Sequence, residues 1–590
     1  MPTETDSRSS ARDRIVMTVL GALAGFAAYA LVELLPDYVE NERLLLFTIT
    51  LTGGFFAALL AAAGPLPYAK AILAAAISAV PAAALLTWAS ARYDDVEDFL
   101  ETLHAPAAYA LIVGISLPFL IAALRPDAGW RHYPTLFRES WNIVVRYAAA
   151  WLFTGVTWAV VFLSDALFGL VGLTIIQDLL DIEWIPFVVT GAVLGLALGV
   201  VTELADYVSP FLILRLLRLL LPVVLVVTAV FLIALPLRGL SNLFGGLSAA
   251  ATLLAMALGI ATLITSALDR ADEDAADAVA LRASAQLSAL SIPVLAALAL
   301  YAIWLRVMDY GLSPDRIAAA CAAAVMLGYG VLYSLAVLAR RNWMARIRGA
   351  NIAMALVVVG LGALWLTPAL NPERLTAQNQ IARFKTGKVG ADALDLWFIG
   401  RELGVAGPPA IDALAALKHP EAEALAARIA RLGESNSRYR FTSAEDGVAA
   451  PDLIQRILSR AAVWPETETV SAEAFEDIAL SRLRSMNTGC EMDTPNGRPG
   501  CVALIADFLP SAPGDELIML WMTGSGRASI AVLTPAGHDG TRPRARFLSG
   551  SQLADLTPAA IDALQEDGAE IAPAGLLMLR LGGAEIIVAP

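Results

Sequence analysis

Charge is what this chain has little of. Of its 590 residues only 16% are Asp, Glu, Lys or Arg, against about 25% in ordinary soluble domains. Hydrophobic residues make up 58% and the mean hydropathy is +0.65, which excludes an ordinary soluble protein. Three cysteines are too few for a small disulfide scaffold, and 43 glycines without a period exclude a collagen-like chain. Lysine is nearly missing from the most apolar part, where Lys70 is the one example before residue 370. The net charge is −14 and neither half is basic, so there is no electrostatic footprint for nucleic acid. What is there is the makeup of a polytopic membrane protein with room for a second, water-soluble part.

The charges locate the boundary. Residues 1–369 hold 21 of the 41 basic and 27 of the 55 acidic residues, and the remaining 20 and 28 fall in 370–590. The same number of charges is thus carried by a much shorter stretch, which marks a change of solvent near Asn371. We read three parts: a transmembrane helical domain over 1–369, a periplasmic helical segment over 370–445 and a periplasmic α+β domain over 446–590. The expected fold is a polytopic α-helical membrane bundle of about eleven transmembrane helices, then a soluble helical stalk and a small α+β domain.

A membrane-crossing helix needs about 20 mostly apolar residues. Eleven stretches meet this: 15–35, 44–63, 69–90, 105–124, 146–164, 185–204, 219–237, 243–267, 286–306, 317–338 and 350–369. Ala28-Tyr29-Ala30 resembles a signal peptidase site, but the apolar run continues past it to Leu35, so an uncleaved first helix is expected. Residues 166–177 are apolar yet too short to cross, and are read as interfacial or re-entrant. Residues 131–146 alternate basic and apolar residues and are expected to lie on the membrane surface. Gly21 and Gly25, and Gly191, Gly195 and Gly199, are spaced by four; packing within the chain is the reading taken over dimerisation.

Basic loops stay in the cytoplasm. With the amino terminus inside, 16 of the 21 basic residues before residue 370 fall on the inner side; Arg43, Arg92, Arg238, Arg306 and Arg316 fall outside. Eleven spans then put 370–590 in the periplasm, in a bacterial inner membrane. Cys490 and Cys501 bracket the turn-rich loop CEMDTPNGRPGC and are expected to pair in that oxidising compartment. Cys321 lies within a span and reads as a small packing residue.

Charges deep within spans mark ion or proton paths; Glu33, Arg146, Glu203 and Arg306 all lie near span ends, which gives an ion-coupled transporter little support. Two outer loops hold candidate site residues. In ARYDDVEDFLETLH, Asp94 and Asp95 are candidate catalytic carboxylates, with a solvated acidic loop as the plainer reading. In the ninth outer loop the candidate binding residues are Arg306, Asp309, Tyr310, Asp315 and Arg316. There Ser313 reads as a helix cap with Pro314 at the first helical position, and Asp309 and Asp315 are the nearest acidic partners for the two arginines.

The run YGLSPDR at 310–316 and NPERLTAQNQIARF at 371–384 resemble an uncharacterised bacterial inner-membrane family, domain of unknown function 4153. In that family a YGLTP-like run followed by Arg recurs in this place; Ser313 stands here where Thr is common. The resemblance implies an inner-membrane location and supplies no activity.

After the spans, ALDLWFIGREL and IDALAALKHPEAEALAARIARL read as helices separated by GVAGPP, a stalk of the kind that binds proteins. Helices over 452–463 and 472–485 precede the strand-like runs CVALIADF, ELIMLWMT, ASIAVLT, ARFLS, GLLMLRL and EIIVAP. His419, His538 and Ser525 form no recognisable catalytic set. The sequence therefore favours a non-enzymatic protein of envelope sensing, assembly or maintenance that binds a periplasmic or envelope protein partner from within the lipid bilayer. No cofactor or metal is expected. The alternatives are a transferase-type enzyme acting on lipid-linked substrates, and a solute transporter.

Overall fold

The protein is seen in a computed structural model that describes residues 4–126, 129–203, 210–238, 249–273, 275, 278–435, 437–438, 441, 450–465, 467–475, 478, 480–507, 515–523, 528–533, 558–567, 578–581 and 584–587. It divides into two compact units, residues 1–429 and 430–590. The segment after the last span, up to Ile429, thus belongs to the same unit as the spans.

Eleven helices among the described residues are long and apolar enough to cross a membrane, one for each stretch read from the sequence. In order they are Ala11–Tyr38, Glu42–Ala62, Tyr68–Ser90, His104–Leu124, Tyr133–Leu170, Trp184–Thr202, Leu214–Leu235, Ala249–Leu268, Val279–Tyr310, Pro314–Leu338 and Trp343–Trp365. The protein is a multi-pass membrane protein. Its outward-facing apolar side chains, such as Leu152 and Ile233, are exposed because lipid is the solvent they meet. Pro81, Pro118 and Pro293 lie inside their helices, as bundles allow.

One core joins the first six spans through residues such as Leu59, Ala62, Ala74, Ile121 and Leu198. A second joins the seventh to eleventh through Leu253, Ile264, Ile292 and Tyr333. A third, with Leu86, Phe99, Ile112, Ile317 and Trp365, links the two groups at one end of the bundle. The glycine pattern does what close helix packing needs. A Cβ on Gly21 would run into the Gly191 carbonyl and stand 2.9 Å from Gly195 Cα, and one on Gly195 would run into the Met17 carbonyl. The first and sixth spans pack backbone to backbone within the chain.

One surface reading needs correction and a second is refined. Residues 131–146 do not form a separate helix on the membrane; Tyr133–Leu170 is one continuous helix of 38 residues. At about 1.5 Å per residue it is much longer than a bilayer is thick. Within it Arg146 is buried and donates to the carbonyls of Ala61 (3.3 Å) and Ala63 (3.2 Å) instead of facing headgroups. The 166–177 stretch is divided between the end of that helix, a turn and the start of an exposed short helix, Ile175–Leu180.

After the eleventh span comes an exit helix, Pro372–Lys385, with Asn371 as its cap. Beyond it the helical reading breaks up. ALDLWFIGREL contributes only a short turn, Phe398–Glu402, and GVAGPP forms a tight turn and the opening of helix Gly407–Ala415. The long run after it splits before Ala422–Glu434, because Pro420 pushes His419 out of the helical region.

The second unit holds a four-stranded sheet in the order β1 (Ala462–Trp464), β2 (Cys501–Ala506), β3 (Glu516–Met522) and β4 (Ala528–Val532). β1 runs parallel to β2 and the other pairs are antiparallel. Helices Ala450–Arg460 and Leu480–Glu491 close one face over Ile457, Met486, Met519 and Trp521. Helix Pro558–Asp567 closes the other over Val502, Leu504 and Ile561. Residues 462–463, read as the end of a helix, are strand instead, paired with Val502 and Ala503 of β2. The Cys490–Cys501 disulfide is present and ties the end of a helix to the start of β2. Two further strands, β5 (Met578–Leu581) and β6 (Ala584–Ile587), form a hairpin. ARFLS, Ser525 and His538 lie outside the described residues.

Candidate functional site

The site grows from a problem that every helix end poses. The last carbonyls of a helix have no partner within it, and a cation nearby can satisfy them. Arg92, in the turn after the third span, does this for the eleventh. Its Nη2 donates to the carbonyls of Trp365 (2.5 Å), Thr367 (2.9 Å) and Leu370 (3.3 Å). Its Nη1 faces Glu373, in the first turn of the exit helix, at 3.6 Å. Arg92 is 9% exposed and Glu373 1%.

This pair is incomplete. The two face each other as a buried ion pair without a hydrogen bond closing between them. Burial pushes the Glu373 carboxyl above the usual carboxylate range; its own backbone N–H, Arg92 and the nearby Tyr93 hydroxyl pull the other way. Burial likewise weakens the hold of Arg92 on its proton, opposed by Glu373, and pushes the Tyr93 hydroxyl up, with Glu373 adding to the rise. Around them, Arg43 donates to the Tyr93 carbonyl at 2.9 Å and Glu42 accepts from Val96 N at 3.1 Å, so the start of the second span is pinned to the same loop. Trp365 Nε1 donates to His104 Nδ1 at 3.2 Å.

A second clamp sits beside the first. Arg383 of the exit helix donates to the carbonyls of Val307 (3.1 Å), Met308 (2.8 Å) and Asp309 (2.7 Å), closing the ninth span. Gln380 Nε2 reaches the carbonyls of Tyr310 and Leu312, and Asn379 accepts from Leu312 N at 2.9 Å. Gly311 has φ +80°, and a Cβ there would stand 2.7 Å from Gln380 Nε2 and 2.8 Å from Arg383 Cδ. YGLSPDR and NPERLTAQNQIARF, far apart in the sequence, thus form one joint.

The candidates read from the sequence fare unevenly. Ser313 caps the tenth span as expected, accepting from Arg316 N at 3.3 Å. Arg306 and Arg316 lie 5.9 and 5.6 Å from the Tyr310 ring, and Arg316 Nη1 donates to the Gly311 carbonyl at 2.8 Å. The expected pairing with Asp309 and Asp315 does not form: the Tyr310 ring and the Gly311 carbonyl hold the guanidiniums instead. Asp309 takes part through its backbone, and Asp315 is exposed. Asp94 and Asp95 are exposed as well. His419 packs on Phe384, 4.4 Å between ring centres.

Two clefts open at this end of the bundle. One, of about 480 Å³, is lined by Trp88, Arg92, Asn371, Glu373, Arg374 and Gln378 together with apolar side chains. The other, of about 440 Å³, is lined among others by Tyr93, Asp98, His104, Asp315 and Arg401. Asp94 and Asp95 line neither. Among the described residues there is no group of three or more metal-ligating side chains. Sequence reasoning missed Arg92 and Glu373 as site residues. Arg92 read as one more outer basic residue, and Glu373 only as part of the run NPERLTAQNQIARF.

The sequence profile described as Domain of unknown function (DUF4153) matches residues 54–414, more than half of the chain, and spans both clamps and both clefts. No curated protein and no solved structure matches.

Proposed function

We propose that this chain, which belongs to the DUF4153 family, is a multi-pass protein of a bacterial inner membrane that binds an envelope protein partner and serves in envelope sensing, assembly or maintenance. Its amino terminus lies in the cytoplasm and residues 370–590 in the periplasm. The observation that carries the partner reading is in the second unit. Among the described residues β1 is hydrogen-bonded to β2 alone, and beside it opens a cleft of about 230 Å³ lined by Leu458, Val463, Val470, Phe475 and Met519. An edge strand next to an apolar cleft suits an extended segment of another protein, which adds a strand and places a side chain in the cleft.

The placement is supported by the basic residues, 16 of 21 on the inner side, and by the Cys490–Cys501 disulfide, which suits an oxidising compartment. Alkaline phosphatase fused to the carboxy terminus is expected to be active, and an inactive fusion overturns the orientation. For the partner, crosslinking in intact cells should join residues 458–475 to an envelope protein, and Val463→Asp should abolish the crosslink while the disulfide still forms. A crosslink that survives Val463→Asp, or none at all, removes the reading.

A further inference from the structure

The larger cleft of the first unit, about 480 Å³, lies in the size range of small-ligand sites, and what fills it is independent of a partner on the second unit. Two of the charged groups along it are already engaged: Glu373 and Arg92 are buried and face each other at 3.6 Å. What an incoming molecule meets is the rest of the lining. Arg374 lines the cleft with its side chain exposed, and among the described residues that side chain meets no carboxylate. Its place is an awkward one for a cation. Asn371 caps the exit helix and accepts from Arg374 N at 2.8 Å, so Arg374 stands in the first turn, where the helix dipole disfavours positive charge. Glu373, the acid of that turn, is engaged by Arg92.

The reachable lining therefore carries charge of one sign, positive, and an anion is what complements it. A phosphate in front of Arg374 makes the charge-assisted contacts that this side chain lacks. Most of the remaining wall is apolar: Trp88 is 56% exposed and Val405 48%, and Leu366 and Ile381 lie on the same lining. Trp88 stands in the last turn of a membrane-crossing helix, so the cleft opens at the depth where headgroups meet acyl chains. A small soluble anion would leave the apolar wall bare, and a zwitterionic lipid would bring a second cation toward Arg374. A lipid with a net negative headgroup suits both the charge and the wall.

We propose that this cleft holds one anionic phospholipid, with its phosphate on Arg374 and the start of an acyl chain along Trp88 and Ile381.

The test uses the full-length protein in phosphatidylcholine vesicles that contain a trace of phosphatidylglycerol or of phosphatidylcholine, each with a photoreactive diazirine near the head of one acyl chain. Peptide mass spectrometry then maps the label. The phosphatidylglycerol probe should label the peptides that hold Trp88 and Ile381 about fivefold more than the phosphatidylcholine probe does, the scale of one exposed ion pair. Arg374→Gln should bring the two probes to parity, and Arg374→Lys, which keeps the charge, should keep most of the preference. Trp88→Ala should lower the label at Ile381 from both probes about threefold through lost apolar contact. Both side chains are exposed, so these variants should unfold at the wild-type temperature. Equal labelling of the cleft by the two probes, or a preference that survives Arg374→Gln, overturns the proposal. So does loss of the phosphatidylglycerol label under excess glycerol 3-phosphate, which assigns the cleft to a free anion, and so does a cleft that neither probe labels, which assigns it to a protein segment.

Discussion

The two ends of the bundle solve the same problem with different thoroughness. At the end opposite the site, Arg348 donates to the carbonyls of Leu268 and Asp269 and pairs with Asp272 at 2.5 Å. Lys70 reaches the Leu124 carbonyl at 2.7 Å, and Arg146 reaches those of Ala61 and Ala63. Each cation there closes a helix terminus. The Arg348 carboxylate partner, Asp272, stands 64% exposed, where water completes its bonding. At the site end Arg92 closes a terminus just as fully, but its carboxylate partner, 3.6 Å away, is buried. The cations are alike and architectural. The difference lies in the carboxylates that face Arg348 and Arg92: Asp272 is solvated and Glu373 is buried.

Substitutions can break or sharpen this contrast. The largest effect is expected from Arg92→Met, which frees three carbonyls and strands a buried carboxylate; removing one member of a buried pair costs about 3–5 kcal/mol. Thermal unfolding in detergent measures it, and a change no larger than at an exposed arginine would place the pair among decorative surface contacts. Arg383→Met should come next, at about 2–3 kcal/mol for its three charge-assisted bonds to carbonyls. Limited proteolysis should show the exit helix loosened first. The smallest loss is expected from Asp272→Asn at the opposite end, about 0.5–1 kcal/mol for a solvated pair that salt screens. A loss as large as that of Arg92→Met would erase the distinction between the ends.

The spans were legible in the sequence because hydropathy is a local property, and the Ser313 cap was legible because capping is decided within four residues. The glycines of the first and sixth spans announced close packing, and the structure supplies the partner. What could not be read depends on contacts between distant residues. Nothing near Arg92 tells that it will meet Glu373, which follows it by eight further spans' worth of chain and loops. Residues 131–146 carry the pattern of a surface helix, yet a distant pair of carbonyls at Ala61 and Ala63 draws Arg146 inward. β1 escaped notice because three apolar residues continuing a helical period look helical until β2 arrives, some forty residues later, to pair with them.

The contrast between the ends rests on Glu373 being buried where its protonated form is favoured, and the pH dependence of Glu373→Gln tests that most directly. A carboxyl whose pKa is raised by folding adds stability below its ordinary value, and that contribution is lost as pH rises through its folded value. At neutral pH the wild type carries the cost of a buried charge. Glu373→Gln should therefore unfold at the same temperature as the wild type or higher at pH 7.5, and the wild type should gain on it as the pH is lowered toward the ordinary carboxylate value. If Glu373→Gln instead loses several degrees at pH 7.5 and recovers relative to the wild type on acidification, Glu373 is a well-paired structural carboxylate and the two ends of the bundle do not differ.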